Sequence, residues 1–153
     1  MYLISMVAET LDMHPQTLRK YERAGFIAPL RMGTLRTYSD EDVARLRLIK
    51  HFVEDLGLNL AGVELALSIT GDLLKLRTGL IGMSVYSEEI GDSISQIDAM
   101  LARMGIRVMK RVESGSGDLQ DRRDGWFGTA EGESLEFGEP AQEAQKDAGE
   151  SYA

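Results

Sequence analysis

Cysteine is absent from all 153 residues. Disulfides, thiolate metal sites and thiol redox sensing are thereby excluded, which fits a reducing compartment. Histidine is nearly as scarce: His14 and His51 are the only two. With no cysteine and no histidine cluster, no metal site is expected. No run approaches the roughly 18 consecutive apolar residues of a membrane helix. The start, Met1-Tyr2-Leu3-Ile4-Ser5, has neither the basic cluster nor the long apolar stretch of a secretory signal. A soluble, cytoplasmic protein is expected. A P-loop, a dinucleotide fingerprint and a catalytic triad are also missing, so neither enzyme activity nor a cofactor is expected. The paired acids Glu88-Glu89 and Asp40-Glu41-Asp42 are explained as helix-face and helix-start residues.

Acid is what the chain has in excess, with a net charge of −8. Its distribution matters more than its total. Residues 113–153 hold eleven Asp/Glu and three Lys/Arg, whereas residues 1–112 hold fourteen of each. The excess therefore lies in the C-terminal part, and a nucleic-acid surface elsewhere is not excluded, because local patches decide what DNA meets.

The first 70 residues read as short helices around a hairpin. Val7, Ala8 and Leu11 share one helical face, with Ser5 as the expected N-cap. Asp12-Met13-His14 breaks the pattern. A second helix starts at Pro15, whose missing N–H costs nothing at the first helical position, and stops at Gly25. Two short helices across a tight turn outline a helix-turn-helix. In residues 26–38, Pro29 blocks a helix and Gly33 divides two pieces of strand-like alternation, the pattern of a hairpin or wing. Ser39-Asp40-Glu41-Asp42 opens a third helix, with Val43, Leu46, Ile49, Phe52, Val53 and Leu56 inward and its end at Gly57. Asn59 caps a short fourth helix, with Val63, Leu67 and Ile69 inward.

From there apolar residues keep a 3,4 spacing: Ile69, Leu73, Leu76, Leu80, Met83, Ile90, Ile94, Ile97, Leu101, Met104 and Val108, with Ser87 the polar exception. Such a repeat predicts a coiled coil. The glycines at 79, 82, 91 and 105 weigh against an unbroken helix. The reading is a long helix over 71–112 that dimerises through Leu73, Leu76, Leu80, Met83, Ile90, Ile94, Ile97, Leu101 and Met104. An intrachain hairpin turning between Gly79 and Gly91 is the rival. Residues 113–153, rich in Gly, Ser and Glu, are expected to form a disordered acidic tail. Within it, Trp126-Phe127 is a docking motif, or unremarkable, or packs back on the coiled coil. The fold class is thus mainly α: a winged helix-turn-helix over 1–70, a dimerisation helix, and a tail.

The second helix carries the chemistry. Leu18 faces the first helix, which leaves Gln16, Arg19, Lys20 and Arg23 on the other side, with Thr17 and Tyr21 at the borders. Gln pairs with adenine edges, Arg and Lys with guanine, and Thr and Tyr reach phosphate or a thymine methyl. The alternative is a solvated basic face. His14, at the helix start, is either a DNA contact or turn packing. The wing adds Arg31, Arg36 and Tyr38 as backbone or minor-groove contacts, although Tyr38 serves equally as core. His51 reads as a surface residue.

Residues 3–70 resemble the DNA-binding domain of the MerR family. The resemblance is carried by Ile4 to Leu11, Thr17-Leu18-Arg19, Tyr21-Glu22-Arg23, Gly25, Pro29, Arg31, Gly33, Arg36, Tyr38 and Asp42. Leu3-Ile4-Ser5, His14-Pro15-Gln16-Thr17-Leu18-Arg19 and Asn59-Leu60-Ala61-Gly62-Val63 are similar to the HspR-type heat-shock repressors within that family. The resemblance implies a homodimer on an inverted-repeat operator in double-stranded DNA, acting on the nucleoid, with repression of chaperone genes and a DnaK-type chaperone as co-repressor. It assigns Gln16, Thr17, Arg19, Lys20 and Tyr21 to the recognition helix and Arg36 and Tyr38 to wing contacts. Two other functions compete: a MerR-type activator that distorts a promoter in response to a small molecule, and a coiled-coil adaptor without DNA binding.

Overall fold

The structure, a computed structural model, describes residues 1–110 and 132–141. It opens on a two-residue strand, β1 (Tyr2–Leu3), which runs directly into helix α1 (Ile4–Thr10). The helix therefore begins one residue before Ser5: Leu3 occupies the N-cap and no side chain caps it. Asp12 then takes a left-handed conformation at φ 49°, which a short polar side chain tolerates. The Met13 N–H reaches back to the Ala8 carbonyl, closing α1 in the way a left-handed cap does.

Helix α2 (Pro15–Arg23) has Pro at its first position and His14 at its N-cap. It ends at Gly25, whose φ of +76° suits glycine. The Phe26 N–H donates to the Tyr21 carbonyl, and the two rings sit 6.2 Å apart. That apolar contact commonly accompanies a left-handed helix stop. The wing follows as β2 (Leu30–Met32) and β3 (Leu35–Tyr38), turned at Gly33 with φ +63°. β1 completes the sheet in the order β1-β3-β2, both pairings antiparallel.

Helix α3 (Asp40–Lys50) starts on a reciprocal cap. The Ser39 hydroxyl accepts from the Asp42 N–H, and the Asp42 carboxylate accepts from the Ser39 N–H, which satisfies two end groups at once. The Lys50 ammonium donates to the Leu11 carbonyl at 2.6 Å, tying the end of α1 to α3. A π-helical turn, His51–Asp55, extends α3 and ends at Gly57, φ +66°. Leu18, Tyr38, Leu46, Ile49, Phe52 and Val63 are fully buried at the centre of this N-terminal core.

Past residue 57 the fold departs from expectation. The fourth helix is long: α4 (Leu60–Ile81), capped by Asn59, whose side chain accepts from the Gly62 N–H. It runs unbroken across residue 70, the expected end of the DNA-binding domain. Ile69 points outward and Thr70 inward. The single helix expected over 71–112 is absent. A short 3-10 turn, Ser84–Tyr86, reverses the chain into α5 (Glu88–Arg103), which packs on α4. Ser87, the polar exception in the repeat, is the N-cap of α5. The intrachain hairpin is therefore the form adopted.

Strand β4 (Ile106–Lys110) pairs antiparallel with β5 (Glu133–Phe137), Ile106 opposite Phe137. Part of the expected disordered tail is thus a strand. Residues 113–131 and 142–153 of that tail, including Trp126-Phe127, lie outside the described residues. Arg77, on α4, is buried and joins three elements: its Nε donates to Asp98 of α5 at 2.6 Å, and Nη1 donates to both Glu133 oxygens of β5. Burial works against the guanidinium charge, but the hydrogen bonds and charges of Asp98 and Glu133 hold its pKa above the ordinary arginine value.

His51, expected at the surface, is buried where the hairpin meets the N-terminal domain. Nδ1 lies 2.7 Å from the Asp55 carboxylate, Nε2 lies 2.8 Å from the Met104 carbonyl, and Phe137 stacks on the ring at 5.1 Å. Gly105, at φ +72°, permits this approach, since a Cβ there would stand 2.2 Å from the Gly138 carbonyl oxygen. Among the described residues, no helix is long and apolar enough to cross a membrane.

Candidate nucleic-acid interface

Helix α2 divides cleanly. Leu18 and Tyr21 are buried against the core, whereas Gln16, Lys20 and Arg23 are exposed and Arg19 half-buried on the opposite side. At about 100° per residue these four polar positions form one contiguous face. Arg19, Lys20 and Arg23 form no salt bridge among the described residues. The face is thus three uncompensated cations and an amide, a set able to read base edges and hold phosphate. Thr17 is half-buried at the border. His14 is exposed, and its Nδ1 accepts from the Gln16 N–H at 3.1 Å, so the ring caps the helix whatever else it meets.

Two residues assigned to DNA contact are turned inward. Tyr21 and Tyr38 are both buried. Burial raises the pKa of each hydroxyl, reinforced at Tyr21 by Glu54 and at Tyr38 by Glu22. Among the described residues the Tyr38 hydroxyl has no hydrogen-bond partner. Both rings fill the core, which is where an aromatic body gains most, and the expectation of groove contact is corrected for both.

The wing arginines are held within the fold by an acid. Arg31 and Arg36 face each other across the hairpin, so both point to one side of the sheet, and that side meets α2. Both are bound by Glu22: Arg31 Nη2 donates to Oε1, and Arg36 Nε donates to Oε2 at 2.8 Å. The Glu22 side chain is 13% exposed, Arg36 25% and Arg31 62%. Partial burial pushes the Glu22 carboxyl upward, but the two guanidiniums outweigh it and hold the group below the ordinary glutamate range. The other wing face carries Leu30, Met32 and Leu35, all exposed.

Glu22 is the residue that a reading of cationic contacts overlooks. A signal for it exists: a turn at Gly33-Thr34 sets residue 31 opposite 36, so both arginines share a face and require an acid.

The nine positions proposed for dimerisation are split by the hairpin. Ile97 and Leu101 are buried in the chain's own core, with Leu73, Leu80 and Met104 packed against it. Ile90 and Ile94 are half-buried, and Leu76 and Met83 are exposed.

Comparison with known proteins agrees with this geometry. Residues 2–68 match the MerR HTH family of regulatory proteins. The chain is 37% identical over 99 residues to a protein of Streptomyces coelicolor provisionally named heat shock protein HspR, a match covering 64% of this chain and 66% of that relative. It is 32% identical over 114 residues to an uncharacterised HTH-type transcriptional regulator of Synechocystis, covering 63% of this chain and 80% of the relative. No solved structure gives a significant match. The cationic helix, the wing beside it and these matches together make the chain a member of the MerR family of helix-turn-helix transcriptional regulators.

Proposed function

We propose that this chain is a dimeric repressor of heat-shock or chaperone genes that binds an inverted repeat in duplex DNA. The observation that carries the DNA reading is the unpaired polar face of α2, Gln16, Arg19, Lys20 and Arg23. Laid in a major groove, Gln16 pairs with adenine, and Arg19 or Lys20 with guanine. The remaining cations and the start of the helix hold phosphate. Repression follows when the bound dimer covers a promoter. The similarity to a protein named as a heat shock protein supports the target class, and with it a DnaK-type chaperone that stabilises the bound form until unfolded protein draws it away.

The dimer is supported by α4. Val63, Leu67, Thr70 and Leu74 are buried on one side, whereas Leu65, Ile69 and Leu76 stand exposed on the other, with Met83, Val85 and Tyr86 exposed beyond the helix end. An apolar stripe of this extent marks an interaction surface. A second copy placed on it by two-fold symmetry presents two recognition helices to half-sites about one duplex turn apart, or a multiple of that.

Selection from a pool of randomised duplexes by the full chain tests this reading. The expected result is enrichment of an inverted repeat, with tighter retention when a DnaK-type chaperone is added. A pool that emerges unenriched contradicts sequence-specific binding, and indifference to the chaperone contradicts the co-repressor.

A further inference from the structure

Glu22 is the only acid on α2, and it lies beside the face that the preceding reading places on DNA. A carboxylate there repels phosphate, so its presence needs a compensating role. The geometry supplies one. Its two oxygens are taken separately, one by Arg31 from β2 and one by Arg36 from β3. Two bonds to two different strands fix the wing in direction as well as distance, which a single bond would not. Charge-assisted bonds of this kind are stronger than neutral ones, and this carboxylate is largely withdrawn from solvent.

We propose that Glu22 is a positioning residue for DNA binding: it pins both wing strands to the recognition helix and offsets part of the guanidinium charge that would otherwise meet phosphate. This rests on the DNA-binding reading and adds to it. The clamp sets the spacing between the groove-reading face and the wing before DNA arrives, so the ordering cost is met in the free protein. It also lowers indiscriminate attraction, because its negative charge offsets one of the two positive charges of Arg31 and Arg36. Glu22 therefore raises the ratio of specific to non-specific binding by acting on both.

The sign of the effect makes the test sharp. Simple repulsion predicts that Glu22→Gln tightens binding to every duplex. The clamp predicts that it weakens binding to the selected inverted repeat about tenfold and tightens binding to a random duplex. On the random duplex, the slope of log affinity against log salt steepens by about one, for the single negative charge removed from the cluster. Arg36→Ala should also weaken binding to the selected repeat, and combining it with Glu22→Gln should cost little more than the worse single change. Should Glu22→Gln fail to fold, as judged by its melting curve, the wing-side pair Arg31→Gln with Arg36→Gln removes the same clamp without altering α2. It should show the same loss on the selected repeat.

An unchanged ratio of the two affinities in the folded variants overturns the clamp alone, provided the wild-type chain binds the repeat. A wild-type chain that binds neither duplex overturns the DNA reading itself, and the clamp with it.

Discussion

Helices α2 and α4 divide their surfaces in opposite ways. On α2 the inward side is apolar and the outward side is polar and cationic, so the chain itself completes every apolar contact that the helix needs. On α4 both sides are apolar: Leu67 and Leu74 are covered by the chain, while Leu65, Ile69 and Leu76 stand exposed among the described residues. The first helix is finished as a folded element and open as a binding one. The second is unfinished as a folded element until something covers its outer stripe. The DNA reading and the dimer reading therefore rest on different physics, one on unpaired charge and the other on uncovered apolar area, and they can be broken separately.

The largest effect is expected on the covered side of α4. Leu74→Ala removes a fully buried side chain and should lower stability by about 2–5 kcal/mol, by the same amount at all protein concentrations in urea unfolding. Next comes the junction between the two helices and the strand. Arg77→Met leaves Glu133 without its guanidinium and should cost roughly 3 kcal/mol. The loss should appear as faster amide exchange in β4 and β5. On the uncovered side, Leu76→Asp should change the stability of the single chain by no more than about 0.5 kcal/mol yet shift the sedimenting species from dimer to monomer. A dimer that survives this change places the interface elsewhere. In the N-terminal domain, Tyr38→Phe removes a buried hydroxyl that has no partner among the described residues. It should leave DNA affinity unchanged and stabilise the fold by up to about 1 kcal/mol; weaker DNA binding would return Tyr38 to the interface.

The smallest effect is expected from acid. The Glu22 carboxyl titrates below its unfolded value because Arg31 and Arg36 favour its charged form. Its contribution is therefore complete above the ordinary glutamate value of about 4.3 and is lost as pH falls through the depressed folded value. Exchange in the wing should rise in that window, and Glu22→Gln should abolish the rise.

The same contrast explains what was legible in the sequence. The N-terminal domain is punctuated by residues whose roles are local. Pro15 starts a helix, Gly25 and Gly57 end helices, Gly33 turns the hairpin, Ser39 and Asp42 cap each other, and Asn59 opens α4. Each is where its own chemistry puts it, and the wing, the helix-turn-helix and most of the core follow. Misreadings arose where the partner is distant in sequence. His51 is buried by Met104 and Phe137, more than fifty residues away, and nothing near residue 51 announces them. Tyr21 and Tyr38 each carry an apolar body and a polar tip, and periodicity does not say which end dominates.

The 3,4 repeat misled for a further reason. Its phase passes through the turn at residues 82–87 without slipping, so a hairpin and a continuous helix share one pattern. Gly82 and Ser87 were the local signals that the chain turns there. Periodicity identifies which side of a helix is apolar, and it does not identify what will cover that side.

The central claim is most directly tested by measuring the affinity of the full chain for its selected duplex at two salt concentrations, with and without Arg19→Ala and Lys20→Ala. Affinity should fall steeply with salt in the unaltered chain, each substitution should weaken binding, and the one that removes a phosphate contact should reduce the salt slope by about one. Binding that ignores both substitutions and keeps its slope would contradict a recognition surface on α2.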